Sequence, residues 1–189
     1  MFSPDHAALL LVDVQQGMDD PSWGPRNNRD CEANVGRLLS HWRARGGTVV
    51  FVRHDSVEPG SPLAPSQPGN AFKPVIAGEP DLLVTKDVNS AFLGNPALEP
   101  WLRERGIDAI VVAGIQTNMC CETTARMGGN LGFDVAFALD ATHTFDLDDH
   151  EGGTIAADEL ARVTAANLDP EFGRVVTAAE AIDGLRAIA

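Results

Sequence analysis

Cysteine is scarce in this chain: three among 189 residues, two of them adjacent at Cys120 and Cys121. That number and spacing exclude a disulfide framework. No apolar run approaches the ~20 residues that a membrane-spanning helix needs. The opening Met1-Phe2-Ser3-Pro4-Asp5-His6 has neither the basic start nor the small-residue cleavage site of a signal peptide. A reducing cytoplasm is the expected setting. Basic residues are also few, 14 Lys and Arg against 27 Asp and Glu, for a formal net charge of −13. No basic cluster breaks that excess, so nucleic acid and anionic membranes are poor partners. A small-molecule substrate stays open. Internal repeats and low-complexity segments are missing too. The composition that remains, 44% hydrophobic and 22% charged, is ordinary for a globular chain. Its length suits a single domain over residues 1–189.

Short apolar runs alternate with amphipathic ones. Ala7-Ala8-Leu9-Leu10-Leu11-Val12 reads as a strand buried on both faces and ends on Asp13. Residues 15–28 are polar and punctuated by Gly and Pro, hence a loop. Cys31, Val35, Leu38, Leu39 and Trp42 share one face of a helix that stops at Gly46-Gly47, which makes Cys31 an inert packing residue. Residues 48–52 form a second strand, followed by Arg53-His54-Asp55. Residues 56–80 form the one long irregular segment, carrying six prolines between Pro59 and Pro80. Loops of that length often line a site or an interface. Leu82-Leu83-Val84 is a third strand and runs out into Thr85-Lys86. Leu98, Trp101 and Leu102 mark a short helix that holds Pro100 in its first turn. Ile155, Leu160 and Val163 mark another helix. Val175-Val176 is a last strand, and Thr177-Ala178-Ala179-Glu180 is a capping box for the helix after it.

Residues 108–140 carry the chemistry. Ala109-Ile110-Val111-Val112-Ala113 is too short and too β-branched for a helix and reads as a strand. Thr117 or Asn118 can cap a helix continuing through Leu131, Gly132 ends it, and 135–139 is the next strand. Cys120 then lies in a first helical turn, where unpaired N–H groups and the helix dipole favour thiolate. Cys121, Ala125, Gly128 and Gly132 form a small-residue stripe suited to close packing on a sheet. Buried cysteines are common, and periodicity alone leaves Cys120 open to either role.

Alternating strands and helices imply a parallel sheet with helices on both faces, an α/β/α three-layer fold. Strand order cannot be read from the chain, but 3-2-1-4-5-6 is the common six-stranded, doubly wound solution. In that order Asp13, Lys86 and Cys120 all leave the carboxyl ends of strands around one crevice. Alone, each has an ordinary explanation as a cap, a solvated side chain or a packed thiol. Together they pair a nucleophile with a cation that stabilises its thiolate. Asp13 can carry the thiol proton to a leaving amine. His54, His143 and His150 fall in loops or near strand ends and have no evident claim on catalysis.

The chain resembles the isochorismatase-like cysteine hydrolases, which include nicotinamidases, N-carbamoylsarcosine amidases and biuret hydrolases. The resemblance rests on several stretches in order: Leu10-Leu11-Val12-Asp13-Val14-Gln15; Lys86 with Asn89-Ser90-Ala91-Phe92; Gly114-Ile115-Gln116-Thr117-Asn118-Met119-Cys120; Glu122-Thr123-Thr124-Ala125-Arg126; and Asp140-Ala141. It implies a catalytic triad of Asp13, Lys86 and Cys120, rather than Cys121. It also implies a non-proline cis peptide at Ile115-Gln116 and an oxyanion hole made by the N–H groups of Gln116 and Cys120. Asn95 stands where the family often has threonine, a change of small consequence because both residues cap helices.

Nicotinamidases hold a metal through an aspartate and histidines after the second strand. Here that region offers only His54 and Asp55, so neither a metal nor another cofactor is expected, and EDTA should leave activity intact. The leading expectation is a hydrolase of C–N bonds in small amides or ureides, working through a thioester. Vinyl-ether hydrolysis of the isochorismatase type needs no thiol and fits Cys120 less well. A catalytically idle binding or scaffold protein would have no use for the triad. The resemblance further implies a homodimer or homotetramer. Residues 56–80, with Phe72, are expected to cover the crevice, and Trp23 and Phe92 to supply further apolar walls against the substrate.

Overall fold

The computed structural model describes residues 4–184. Six parallel strands form its sheet: β1 (Ala7–Val12), β2 (Val49–His54), β3 (Leu82–Lys86), β4 (Ala109–Ile115), β5 (Asp134–His143) and, after a small ribbon of β6 (Leu147–Asp148) and β7 (Thr154–Ile155), β8 (Arg174–Val176). Their order is β3-β2-β1-β4-β5-β8. With the ribbon set aside, this is the doubly wound order expected from the sequence. β1 lies at its centre, paired to β2 on one side and β4 on the other.

Side-chain alternation sends β1 into two cores. Leu9 and Leu11 pack with Val35, Leu38 and Trp42 of α1 (Cys31–Ala44) and with Ala178 and Ala181 of α5 (Ala178–Asp183). Leu10 and Val12 face the other side, among Leu98 and Leu102 of α2 (Leu98–Glu104), Ala125 of α3 (Glu122–Asn130) and Leu168 of α4 (Ala157–Leu168). A strand buried on both faces has no use for a polar alternate, which explains its unbroken apolar run. The Trp42 indole N–H donates to the Ala7 carbonyl at 3.0 Å, so the largest side chain of this core leaves no donor unpaired. Among the described residues, no helix is long and apolar enough to cross a membrane.

Several local expectations need correction. β2 extends two residues past Val52, because Arg53 and His54 pair in register with Thr85 and Lys86. Neither Thr117 nor Asn118 caps a helix. Residues Thr117–Cys121 form a π-helical turn, and the two side chains instead bond Thr142 and Thr144 at the end of β5. Ile155 belongs to the ribbon rather than to α4, and Val163 faces outward. The small-residue stripe does meet the sheet: a Cβ on Gly128 would come within 2.8 Å of Ile110. The capping box at Thr177 is formed in both directions, with Thr177 Oγ1 accepting from the Glu180 N–H and Glu180 accepting from the Thr177 N–H.

Candidate active site

Adjacent parallel strands β1, β2, β3 and β4 end on one rim, and four polar side chains meet there. Asp13 follows β1 with a positive φ of 51°, a left-handed conformation that aspartate tolerates better than most residues. Its N–H donates to the Val52 carbonyl at 2.9 Å and its carbonyl accepts from the Gln15 N–H at 2.8 Å. Lys86 closes β3 and His54 closes β2, opposite each other in register. Cys120 projects from the π-helical turn after β4.

The Lys86 ammonium is the hub. Its Nζ donates to Asp13 Oδ2 at 2.7 Å and to Cys120 Sγ at 3.3 Å, and lies 3.1 Å from His54 Nδ1. Three N–H bonds therefore have three partners. Both side chains of the Asp13–Lys86 pair are fully buried. Asp13 Oδ1 has no hydrogen-bond partner among the described residues. One carboxylate oxygen thus holds the lysine while the other keeps its lone pairs free, beside a thiol. Asp13, His54 and Cys120 present donor atoms within 4.8 Å of one another, the makings of a metal site. The point facing one atom of each is already taken by Lys86 Nζ, so a metal there would be set against an ammonium.

Electrostatics alter the thiolate expectation. Burial pushes the Cys120 thiol well above its ordinary range, neighbouring Asp13 pushes it further, and Lys86 only partly opposes them. Burial works to lower Lys86, but Asp13 and Cys120 outweigh it and keep the ammonium charged. His54 is lowered by burial and by Lys86, which favours a neutral imidazole accepting at Nδ1. Burial and Asp13 thus push Cys120 towards the thiol, while Lys86 is held towards its charged form. Cys121 and Cys31 are likewise raised by burial, and neither reaches this rim.

A cavity of about 280 Å³ opens over Cys120. Asp13, His54, Asn89 and Gln116 line its polar end, and Asn89 Oδ1 lies 3.8 Å from Cys120 Sγ. Met18, Trp23, Leu63, Met119, Phe145 and Leu147 form the walls. The Ile115–Gln116 peptide is cis. Trp23 lines this cavity, stacked on Phe145 at 5.6 Å, whereas Phe72 and Phe92 do not line it. Lys73 N–H donates to the Val14 carbonyl, and Phe72 packs edge-on against Phe51 at 5.4 Å, in the core under α1. Phe92 packs against Phe133 at 5.5 Å in the opposite core. The long loop reaches the cavity through Leu63 instead.

His54 escaped the sequence reading, which put it in a loop or near a strand end and gave it no claim on catalysis. The signal was its place two residues beyond an apolar strand that neighbours the lysine strand. Its backbone is fixed by a buried amide lattice. Gln15 Oε1 accepts from the His54 N–H at 2.8 Å, and Gln15 Nε2 and Asn70 Nδ2 both donate to the His54 carbonyl. Asn70 also donates to the Leu63 carbonyl at 2.8 Å, tying the long loop to the same lattice. Phe145 and Leu147 escaped as well, since only the long β5 and the ribbon carry them back over the crevice.

Comparison with known proteins agrees with this geometry. The isochorismatase domain model matches residues 7–179. An uncharacterized isochorismatase-family protein of Bacillus subtilis, YrdC, is 37% identical over 177 residues, covering 93% of this chain and 94% of its own. Nicotinamidase 3 of Arabidopsis thaliana is 31% identical over 159 residues, 77% of either chain. A crystal structure described as a hydrolase of the isochorismatase family, from Chromobacterium violaceum, superposes with a TM-score of 0.90 at 47% identity, covering 96% and 94% of the two chains. With a doubly wound sheet, a rim that gathers Asp13, Lys86 and Cys120, and a match over nearly its whole length, this chain belongs to the isochorismatase family of hydrolases.

Proposed function

We propose that this hydrolase cleaves a C–N bond of a small amide or ureide through a thioester on Cys120, with Asp13 and Lys86 completing the triad. The observation that carries the reading is the unpartnered, buried Oδ1 of Asp13 beside a thiol that shares Lys86 with it. Cys120 attacks the substrate carbonyl carbon as Asp13 accepts the thiol proton, while the Lys86 ammonium stabilises sulfur as it loses that proton. The tetrahedral oxyanion is held by the backbone N–H groups of Gln116 and Cys120, each such donor typically worth ~10²–10³ in rate. Collapse breaks the C–N bond, and the departing nitrogen takes the proton from Asp13. Asp13 then deprotonates a water, which attacks the thioester and releases the acid and the thiol. The push of burial on Cys120 towards the thiol suits this sequence, which begins as the thiol's proton passes to Asp13.

The test is ammonia release across a panel of small amides and ureides. Turnover of at least one compound, with an acyl group found on Cys120 by mass spectrometry after rapid acid quench, is the expected result. An acyl group on another residue, or amide hydrolysis that survives Cys120→Ala, overturns the reading.

A further inference from the structure

We infer that the group entering the cavity beside Cys120 is neutral and apolar, and that substrates placing a carboxylate inside it are rejected. The inference rests on the amide-hydrolysis reading for its chemistry, while its argument from charge is separate. Six apolar side chains form the walls, and among the described residues the one acidic side chain in the lining is Asp13, itself fully buried and paired with Lys86. Among the described residues, every nearby cation is already committed. Lys86 is fully buried in its side chain, and its three N–H bonds face Asp13, His54 and Cys120. Arg53 is paired with Asp55, while Arg26 and Lys73 converge on Glu32. The Trp23 indole N–H, the one donor on the aromatic wall, is spent on the Gly17 carbonyl at 2.8 Å.

A carboxylate drawn between these walls would lose its water and find no free counter-charge in exchange. A neutral amide meets no such opposition. Its carbonyl and nitrogen lie at the polar end, and its substituent rests on Trp23 and Phe145, stacked with only 18° between their planes. Flexible Met18 and Met119 can adapt to the substituent's outline. At about 280 Å³, the space suits a compact ring or branched alkyl group rather than an extended chain. The chain's net charge of −13 adds long-range repulsion of anions.

The direct test uses two reagents of similar size that alkylate Cys120, neutral N-propyl iodoacetamide and anionic N-iodoacetylglycine. Rates are read by mass spectrometry of the Cys120 peptide and referenced to glutathione. The neutral reagent should be favoured by about 10²-fold beyond its preference with glutathione, the scale expected when a charge loses its hydration without a partner. A ratio within about threefold of glutathione's overturns the inference, since no unpaired charge is then being penalised. Failure of both reagents to reach Cys120 overturns it too.

Leu147→Arg, with Met119→Lys as a second placement, supplies the missing counter-charge at half-buried wall positions. Either should narrow the discrimination about tenfold. An unchanged ratio in both variants, each folded by circular dichroism, counts against the inference. Ammonia release from matched neutral and carboxylate-bearing amides separates the two readings. Equal cleavage of both keeps amide hydrolysis and removes the charge rule. Cleavage of neither, with the alkylation preference intact, removes amide hydrolysis and keeps the charge rule.

Discussion

Cys120 and Cys121 are neighbours in the chain and differ in what they face: one lines the cavity beside Lys86, the other is wholly buried against the sheet. Cys120→Ser should lower hydrolysis ~10³-fold or more, as loss of a nucleophile does. Cys121→Ser should keep most activity at some cost in packing. A dead Cys121→Ser beside an active Cys120→Ser would move the nucleophile by one residue. Asp13 and Lys86 act on the same thiol with opposite sign, which gives a sharper check. Asp13 raises the Cys120 pKa and Lys86 lowers it. Asp13→Asn should therefore abolish hydrolysis yet speed alkylation of Cys120 near neutral pH, about tenfold for each pKa unit recovered. Lys86→Met should slow alkylation. It should also cost about 3–5 kcal/mol of stability, since Asp13 is left buried without its partner. Pre-steady-state alkylation from pH 6 to 10 measures both; slower alkylation in Asp13→Asn would contradict the assignment of Asp13 as base.

At the scale of elements, the separation of β1 from β4 sets the distance between base and nucleophile. Gly114, with φ of +132°, sits where an added Cβ would approach the Val12 carbonyl oxygen to 2.0 Å. Backbone cannot yield as a side-chain tip can. Gly114→Ala should thus cost about 2–4 kcal/mol by urea unfolding, in the range of overpacked core sites, and reduce hydrolysis with it. A loss under about 0.5 kcal/mol would show that the strand pair absorbs the methyl, as ordinary surface sites do. Element types were readable because apolar period and turn chemistry are local. Their ends were less so: the polar pair Arg53-His54 hides the last two residues of β2, which only pairing with β3 reveals.

Over the whole molecule, loops from distant parts of the sequence are joined by a charge cluster centred on Glu32. Arg26 and Lys73 meet on Glu32 of α1, and Lys73 also holds Asp19 at 2.6 Å. Beside them His143 is fully buried, with neither ring nitrogen hydrogen-bonded among the described residues and Glu32 3.8 Å from Nε2. Burial, then Arg26, lower its pKa to about 3, with Lys73 adding to them and Glu32 opposing. An unfolded histidine titrates near ~6.5. Between those values the unfolded chain binds a proton that the folded chain refuses, so stability falls as pH drops from ~6.5 towards 3, by up to about 1.4 kcal/mol per unit. His143→Leu should remove this share of the acid sensitivity. Urea midpoints at pH 7 and pH 5 should differ less in the variant than in the parent; an equal difference would place the proton uptake elsewhere.

The sequence by itself determined the layered α/β class, the runs that become strands, the capping box at Thr177, and Asp13, Lys86 and Cys120 as the residues to watch. Each is written in local pattern, in periodicity, or in a polar residue stopping an apolar run. Only the tertiary structure decided that the two aromatic residues Phe72 and Phe92 go to opposite cores, while Phe145 and Leu147 roof the cavity. An aromatic residue carries no local mark of which face it will meet. The structure also bears on the nucleophile. The chain places Cys120 near a helical start, which favours thiolate, but burial and neighbouring Asp13 push the other way. The desolvation of a thiol depends on everything packed around it, and that sum exists only once strands far apart in sequence lie side by side.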